Sequence, residues 1–346
     1  MTTHFVYSTM PGTTPLGRLR GKASRAGVPL SYVGDRERVD TASWPFRAPL
    51  SITHHLFQAL KTLGPVRLYD WKERTRIRPE PGDILIGHPY PRDPGRVWNR
   101  ACLAEGFKVR IALTPVHHGM PEICLDLDRY LPRCDRLLGI TGPYWWDTWE
   151  QSALAHWKPK MTPVDMAIDV AHYPRVKRRF NPPGQRRFLF IGNGEPYKGA
   201  HLLSILFGRA GTSCVWVGAD RDFEHLDPRP AMTLAGAPLE RLAGECDVFL
   251  TMGVSDANAT TILEAMAWGF PVACTPQSGY HRIDELAMLS TTDMRHNLAV
   301  LERFQRAPEA ELLALADRAR SLVERRYGFD RMCDTVLAEV SKHVGP

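Results

Sequence analysis

Long hydrophobic runs are missing from this sequence, and none of its apolar stretches approaches the ~20 residues that a membrane-spanning helix needs. The first residues, MTTHFVYSTMPG, have no basic head and no long apolar core, so we do not expect a secretory signal peptide. The seven cysteines are scattered, odd in number and never spaced as CxxC. This usage indicates reduced thiols and favours a cytoplasmic protein.

Familiar nucleotide-binding fingerprints are also missing. The sequence contains neither a GxGxxG turn nor a Walker A loop, which argues against the usual dinucleotide and nucleoside triphosphate sites. No internal repeat and no low-complexity tract appears. Hydrophobic residues make up 44% of the chain and charged residues 24%, as in ordinary soluble globular proteins. A length of 346 residues then suggests about two domains.

Positive charge is concentrated in the first half of the sequence. Residues 1–175 contain 24 lysines and arginines against 17 aspartates and glutamates, a net charge of +7. Residues 176–346 contain 20 against 21, a net charge of −1. The basic half predicts an acidic partner or an anionic membrane surface, or it serves only to keep the protein soluble.

Tryptophan is concentrated in residues 144–160, which hold four of the nine: Trp145, Trp146, Trp149 and Trp157. Trp145 and Trp149 are four residues apart, a spacing that places them on one face of a helix. With Lys158 and Lys160 beside it, such a face could enter a membrane interface. The other interpretation is an aromatic stripe packed on a sheet.

Short apolar runs that read as strands alternate with helical patterns along the whole chain. In the first half the runs lie at 4–8, 66–69, 84–87, 109–113 and 137–140, and in the second at 188–191, 215–217, 248–250 and 272–274. This alternation predicts parallel sheets wrapped by helices, an α/β fold.

The most informative stretch is 247–279, with the sequence DVFLTMGVSDANATTILEAMAWGFPVACTPQSG. It reads as strand, loop, helix and strand, the crossover unit of a doubly wound sheet. Ligands of such sheets bind beyond the carboxyl ends of the strands, near helix N-termini. Asp256 lies in the predicted loop and Glu264 in the predicted helix. Because Glu264 has apolar neighbours, we expect its carboxylate to have a polar partner.

This stretch resembles the donor-site motif of retaining GT-B glycosyltransferases, family 4 in particular. That family carries two acidic residues separated by seven, followed by E-A-M-A-x-G-x-P-V from the second acid onward. Here Asp256 and Glu264 have that spacing, and the sequence continues AMAWGFPV. The first acid is Asp where the family usually has Glu, and the usual glycine-phenylalanine-glycine is replaced by Ala257, Asn258 and Ala259.

The resemblance implies a GT-B architecture, with two Rossmann-like domains whose parallel sheets face an interdomain cleft. We expect an N-terminal acceptor-side domain at 1–178 and a C-terminal nucleotide-sugar domain at 185–328. A basic, turn-rich linker joins them. The last helix, in 329–346, is expected to cross back to the first domain. The basic loop at 13–49 would bind the acceptor, or it is a plain solvated loop.

Two glycine-bearing turns resemble the family's diphosphate-binding loops. The turn after strand 188–191 reads GNGEPYKG and resembles the family's G-R-x-x-x-x-K-G turn, whose Arg and Lys hold the diphosphate. Lys198 matches, whereas Asn193 stands where the family has Arg; Gly194 is counted with Asn193 among the substrate-binding residues. Gly12, after the first strand, would approach the donor phosphates.

The resemblance assigns roles to the remaining motif residues. Lys198 would stabilise the leaving diphosphate together with backbone amides near Thr260 and Thr261. Glu264 would bind the nucleoside ribose and Asp256 the donor hexose, and Asn258 is a further substrate-binding residue. No metal or other cofactor is expected, because the DxD spelling at 126–128 lies outside the donor motifs.

A histidine is expected to act on the donor sugar from the first domain. In the family it follows the strand that corresponds to 109–113. His117 is our choice and His118 the near alternative, and a structural role for either stays open.

The sequence therefore predicts a retaining glycosyltransferase that moves a sugar from a nucleoside diphosphate donor to a glycan, a lipid-linked molecule or a small molecule. A sugar-nucleotide epimerase on the same fold is a second hypothesis, and a non-catalytic sugar-nucleotide binding protein is a third. The expected partners are the nucleotide sugar, the acceptor and an anionic membrane met peripherally at its inner face. No nucleic acid is expected.

Overall fold

A computed structural model describes residues 1–10, 35–90, 93–120 and 125–344. The chain forms two compact units. The first comprises Met1–Thr141, Thr148–Ala167 and Phe329–Pro346, and the second comprises Gly142–Asp147 and Ile168–Gly328. Elements are numbered below in chain order over the described residues.

The first unit is built on a six-stranded parallel sheet with the order β2-β1-β3-β4-β5-β6. Its strands are β1 Thr3–Tyr7, β2 Val66–Asp70, β3 Ile84–Gly87, β4 Val109–Pro115, β5 Arg136–Ile140 and β6 Met161–Val164. Every residue of β1 and of β3 is buried. Runs that are apolar throughout suit a parallel sheet because both of its faces are covered.

Two helices lie between strands of this unit, a third follows β5, and a fourth lies at the end of the chain. They are α1 Leu50–Lys61, α2 Val97–Leu103, α3 Pro143–Thr148 and, at the end, α9 Phe329–Ser341. Most of α3 belongs to the second unit. The ring of Phe329 stacks on His55 of α1 with their centroids 4.0 Å apart. The last helix therefore packs within the first unit.

The second unit has its own six-stranded parallel sheet, ordered β12-β11-β10-β7-β8-β9. The strands are β7 Phe188–Ile191, β8 Cys214–Val217, β9 Leu226–Arg229, β10 Val248–Thr251, β11 Val272–Cys274 and β12 Leu286–Met288. The central strands β8 and β10 are buried along their whole length. The helices are α4 Ala200–Ala210, α5 Gly236–Glu245, α6 Thr260–Trp268, α7 Met294–Arg306 and α8 Glu309–Arg326.

The linker into the second unit is anchored by a buried ion pair. Lys177 and Asp247 are 1% and 0% exposed, and their side chains are 3.0 Å apart. Asp247 also accepts hydrogen bonds from the backbone and the side chain of Asn181. A buried carboxylate held by several donors is well satisfied, so this pair fixes the linker against the start of β10.

The bounds of the two units differ from those predicted from the sequence. Residues 168–178 were expected in the first domain, but they cluster with the second unit. So does the short segment Gly142–Asp147, which follows β5. The first of these segments contains a 3₁₀ turn, Val170–His172, and the second contains most of helix α3. Nothing in the local sequence indicates that they belong to the second unit.

The tryptophan-rich segment does not form the single helix that its spacing predicts. Helix α3 ends at Thr148 and is followed by two 3₁₀ turns, Trp149–Gln151 and Ala155–Lys160. Trp145, Trp149 and Trp157 are 3%, 0% and 3% exposed. The membrane-facing interpretation is therefore wrong for these three side chains, which are buried.

Candidate functional site

The order of strands in the second sheet creates a switch point between β7 and β10. From β7 the chain proceeds outward through β8 and β9, whereas from β10 it proceeds the other way through β11 and β12. The loops that leave β7 and β10 therefore diverge at the carboxyl edge of the sheet, where doubly wound sheets bind their ligands. We call them the β7 loop, residues 192–199, and the β10 loop, residues 252–259.

The two loops bring two predicted catalytic residues into contact. The ammonium of Lys198, in the β7 loop, lies 2.5 Å from a carboxylate oxygen of Asp256, in the β10 loop. The side chains are 31% and 18% exposed, so the pair borders solvent. This places a cation and an anion side by side at the switch point, 58 residues apart in the sequence.

A glycine allows the two loops to approach so closely. Gly199 has φ +78°, and a Cβ atom on it would lie 2.0 Å from the carbonyl oxygen of Met252. Two residues beyond Met252, the amide of Val254 donates to the carbonyl of Tyr197, two residues before Gly199, at 2.8 Å. The glycine of the Lys-Gly pair is therefore required by packing, because any side chain there would push the loops apart.

Two helices begin at this edge, and no side chain among the described residues caps either of them. Helix α4 starts after Gly199 and helix α6 after Ala259. The first amides of a helix have no partner within it and carry the positive end of the helix dipole. The predicted residues Thr260 and Thr261 form the first turn of α6. This arrangement is suited to binding an anion such as a phosphate.

Asn258 is the residue at this edge that most clearly points to a ligand. It is 2% exposed, yet neither its amide nitrogen nor its amide oxygen has a hydrogen-bond partner among the described residues. An unsatisfied buried polar group costs roughly 1–3 kcal/mol. The side chain has one donor group and one acceptor group to offer, which fits the hydroxyls of a sugar.

Glu264 has the polar partner that its apolar surroundings predict. The hydroxyl of Tyr173 donates to Oε1 of Glu264 at 3.0 Å. Burial raises the pKa of Glu264, and the hydrogen bond from Tyr173 lowers it by less. Tyr173 comes from a 3₁₀ turn ahead of the linker, and nothing in the sequence connects it with Glu264.

The β7 loop is also contacted by the loop that follows β8. The predicted residue Asn193 is exposed, whereas the amide of Gly194 donates to a carboxylate oxygen of Asp220 at 3.0 Å. The guanidinium Nε of Arg221 lies 3.2 Å from the same carboxylate oxygen. It lies 2.6 Å from the position that a Cβ atom on Gly194 would take. An arginine is thus present beside this loop, although Asn193 stands where the family has one.

Sequence reasoning missed Tyr173, Arg221 and a third contact, Trp145. The indole of Trp145 donates to the backbone carbonyl of Asp256 at 2.6 Å. The one available signal was that Asp220 and Arg221 lie in the loop that follows β8, which neighbours β7 in the sheet. No spacing rule connects Trp145 with Asp256, which lies 111 residues away.

His117 lies two residues beyond the end of β4, in the first unit. Its Nδ1 accepts a hydrogen bond from the amide of Gly119 at 3.2 Å, so the neutral ring carries its proton on Nε2. The neighbouring His118 is bonded to the hydroxyl of Thr148 at 2.9 Å and meets the ring of Trp149 edge to face. His118 therefore has internal packing contacts. The catalytic role of His117 stays a prediction.

Gly12 lies outside the described residues. Within the part of the chain that is described, no group of three or more His, Cys, Asp or Glu side chains could hold a metal ion. Asp128 of the DxD spelling accepts hydrogen bonds from His156 and Trp157, within the first unit. Over the same described ranges, no helix is both long enough and apolar enough to cross a membrane.

Comparison with known proteins gives matches by structure alone. No family model matches the sequence, and no curated protein matches it. Among solved structures, Anabaena HepE has a TM-score of 0.55 at 11% identity, covering 99% of this chain and 100% of that one. A glycosyltransferase from Rickettsia africae has the same TM-score and identity, with 99% and 98% covered.

TarM has a TM-score of 0.57 at 9% identity, over 76% of this chain. This chain spans only about half of TarM, 55% of its length. These structures have the GT-B fold. The two parallel six-stranded sheets described here are those of the same fold, so the predicted architecture of two Rossmann-like domains is confirmed.

Proposed function

We propose that this protein is a glycosyltransferase that moves a sugar from a nucleoside diphosphate donor to an acceptor, with retention at the anomeric carbon. The observation that carries the proposal is the grouping of Lys198, Asp256 and the unpartnered Asn258 at the switch point of the second unit. A cation, an acid and a sugar-compatible amide at a phosphate-binding edge match the parts of a nucleotide sugar.

The leaving diphosphate gains negative charge as the bond from the anomeric carbon to the phosphate oxygen breaks. In the proposed site the ammonium of Lys198 stabilises this charge, together with the first amides of α4 and α6. The chain's own cation and helix termini perform this role, so the proposal includes no metal ion. Asp256 keeps the ammonium oriented at 2.5 Å before the donor arrives.

The sugar and the nucleoside are assigned to the acidic residues and to Asn258. Asp256 accepts from the hydroxyls of the donor hexose, Asn258 both donates to them and accepts from them, and Glu264 accepts from the ribose. Retention then follows from attack on the face that the diphosphate leaves, assisted by the departing phosphate. This last step is supported by the resemblance to family 4 alone.

The structural neighbours support a uridine diphosphate sugar as donor. HepE is described in complex with UDP and glucose, and with UDP-glucose. S. aureus TarM is described with UDP, α-GlcNAc-glycerol and fondaparinux. We therefore propose a UDP-hexose donor and an acceptor that is a glycan, a lipid-linked molecule or a small molecule. An anionic acceptor would suit the net charge of +7 in residues 1–175.

Peripheral contact with an anionic membrane is proposed for the same basic half. Sedimentation with vesicles that contain an anionic phospholipid measures this contact directly. Binding at low salt that weakens as salt is added would support it, because screening shortens to ~8 Å at physiological ionic strength. Absence of binding at low salt would leave the charge as a solubilising surface.

The function is tested first by donor binding and then by turnover. A panel of nucleoside diphosphate sugars is screened for thermal stabilisation, since a ligand at 100 times its dissociation constant stabilises the fold by about 2.7 kcal/mol. The stabilising donor is then incubated with candidate acceptors. Formation of a glycosylated acceptor and release of the nucleoside diphosphate are expected.

Lys198→Ala provides the matching prediction for the site. We expect turnover to fall by roughly 10²-fold or more, because one electrostatic stabiliser of the leaving group is lost. The melting temperature should change little, since the side chain is partly exposed. The exposed Arg209 at the end of α4 is the control, and its change to Ala should leave turnover unaltered.

Other outcomes would replace the proposal. Conversion of the donor sugar without any acceptor would indicate an epimerase on this fold. Donor binding without hydrolysis or transfer would indicate a binding protein. Wild-type turnover in Lys198→Ala would remove Lys198 from the catalytic residues.

A further inference from the structure

The segment Gly142–Asp147 belongs to the second unit, although it follows a strand of the first. It lies against the β10 loop through backbone and side-chain hydrogen bonds. The amide of Gly142 donates to the carbonyl of Ala257 at 2.7 Å. The indole of Trp145 donates to the carbonyl of Asp256 at 2.6 Å. Two successive carbonyls of the β10 loop are therefore held by this segment.

Asp256 is held at three points. Its amide donates to the carbonyl of Gln277 at 3.0 Å, and its carbonyl accepts from Trp145. Its carboxylate is bonded to Lys198 at 2.5 Å. Of these three contacts, only the one from Trp145 is made by a buried side chain to the backbone. The indole N–H of Trp145 therefore holds the carbonyl of Asp256, and with it the peptide group that joins Asp256 to Ala257.

Glycines make this packing tight. A Cβ atom on Gly142 would lie 2.0 Å from the carbonyl oxygen of Gly279. Gly279 has φ +101°, and a Cβ atom on it would lie 2.7 Å from the carbonyl of Ala257. The segment, the loop after β11 and the β10 loop are thus stacked backbone to backbone. Such a stack resists displacement of the β10 loop as a whole. The orientation of single peptide groups in the loop is then set by their hydrogen bonds.

We propose that Trp145 is a positioning residue that sets the orientation of Asp256 for the reaction. The proposal rests on the proposed function, in which Asp256 acts at the donor sugar. Without the indole donor, the carbonyl of Asp256 loses this partner, and the peptide group rotates to find another. The carboxylate then leaves its productive position, while the nucleotide contacts of Glu264 stay in place. Sub-ångström misplacement of this kind lowers turnover more than it lowers binding.

The decisive variant replaces Trp145 with 3-benzothienylalanine, which has the shape of tryptophan but sulfur in place of the indole N–H. Trp145→Phe is the simpler second variant. Trp149 supplies the control, because it is equally buried and its indole donates to the carbonyl of Leu154 at 2.8 Å, in the first unit. The same substitutions are made there, so any general effect of losing a buried indole donor is measured separately.

Two readouts are needed. Hydrogen exchange of the backbone amides of the β10 loop should become at least 10-fold faster in the benzothienyl variant at 145 and should not change in the variant at 149. With the donor and acceptor found for the wild type, kcat should fall at least 10-fold at 145, while KM and the dissociation constant of the free nucleoside diphosphate change less than 3-fold. Trp145→Phe should show the same pattern.

Unchanged exchange in the β10 loop would overturn the proposal, whether or not the protein has glycosyltransferase activity. Faster exchange with unchanged kcat would also overturn it, since the loop would then be held without consequence for the reaction. Equal losses of kcat at 145 and 149 would indicate a general structural effect and would equally contradict it. A wild type that turns over no donor would instead refute the proposed function, and the exchange data would still decide whether Trp145 holds the loop.

Discussion

Glu264 shows how one carboxylate can be tuned by its neighbours. Burial raises its pKa above the ordinary 4.5, while the hydrogen bond from Tyr173 acts in the opposite direction. If the ionised carboxylate accepts from the ribose, the affinity for the nucleoside diphosphate should fall as the pH is lowered from neutral through this raised pKa. We expect Glu264→Gln to bind more weakly at pH 8 and to show a flatter pH dependence. Titration calorimetry between pH 5 and 8 measures both.

Tyr173→Phe is the matched control for this prediction. It keeps the ring against Trp268, where the centroids are 5.9 Å apart, and removes only the hydroxyl. Because the lost hydrogen bond lowered the pKa of Glu264, its pKa should rise further and the loss of affinity should begin at a higher pH. Unchanged affinity in Glu264→Gln, together with a lower melting temperature, would make Glu264 a structural partner of Tyr173.

The two histidines after β4 differ in the contacts described for them. His118 is bonded to Thr148 and packed on Trp149, and the Nδ1 of His117 accepts a hydrogen bond from the amide of Gly119 at 3.2 Å. The neutral ring of His117 can therefore donate from Nε2 to a sugar hydroxyl. We expect His117→Asn to lower turnover while leaving the affinity for the free nucleoside diphosphate unchanged.

His118→Asn is the comparison. It should lower the melting temperature by removing a packed ring, with little effect on turnover per folded molecule. If His118→Asn reduces turnover and His117→Asn does not, the assignment is exchanged. If neither does, no histidine of this turn takes part in the reaction.

At the scale of an element, we expect the start of α6, which no described side chain caps, to serve the proposed diphosphate site. Ala259 occupies the N-cap position, where Ser, Thr, Asp or Asn would normally stabilise a helix by ~1 kcal/mol. A cap would compete with the diphosphate for the amides of the first turn. We expect Ala259→Ser to raise the melting temperature and to weaken nucleoside diphosphate binding several-fold.

The second unit contains a control helix. Helix α5 also begins after an alanine, Ala235, and no side chain of the described residues caps it. Ala235→Ser should therefore stabilise the protein by a similar amount without changing nucleotide affinity. Equal affinities in the two variants and the wild type would show that the start of α6 is not used for anion binding.

The predicted strands and the missed strands differ in their position within the sheets. Eight strands have a neighbour on both sides, β1, β3, β4, β5, β7, β8, β10 and β11, and each contains an apolar run that the sequence predicts, as does the edge strand β2. The missed strands are β6, β9 and β12, with the sequences MTPV, LDPR and LAM. All three are sheet edges, where one side of the strand has no neighbour and burial demands less of the sequence. These three edge strands are thus identified by their backbone pairing in the structure and not by a hydrophobic pattern in the sequence.

At the scale of the whole molecule, two buried groups of the first unit make its stability depend on pH in opposite directions. Burial raises the pKa of Asp70 to about 6 from an ordinary value of 3.8. The native state then binds more protons than the unfolded state, so stability falls as the pH rises from about 4 to about 6. Burial lowers the pKa of His88 to about 3, so stability rises with pH up to about 6.5.

Comparison of a variant with the wild type isolates one of these groups. Asp70→Asn removes the titration, although it also weakens the hydrogen bonds from the amide and hydroxyl of Thr9. We expect the wild type to exceed the variant in unfolding free energy by more at pH 4 than at pH 7, with a difference on the order of 2–3 kcal/mol for a shift of this size. Urea unfolding at each pH measures it. A constant difference would show that Asp70 does not titrate in this range.

The sequence by itself determined the fold class and most of the residues at the switch point. Buried apolar runs of four or five residues, alternating with helices, leave few alternatives to parallel sheets. The residue types of the second-unit site, Lys198, Asp256, Asn258 and Glu264, were all visible in local motifs. Such motifs can be recognised in the sequence alone, because each consists of a turn, a glycine and a helix start that lie within a few residues of one another.

Only the tertiary structure decided which residues act together. Lys198 and Asp256 meet across 58 positions, Tyr173 and Glu264 across 91, and Trp145 and Asp256 across 111. The same folding placed Gly142–Asp147 in the second unit and buried Trp145, Trp149 and Trp157, for which the sequence left a membrane-facing and a packed interpretation open. The physical reason is that strand order and loop packing create these contacts. Neither hydrophobic period nor residue spacing encodes which loop will lie against which.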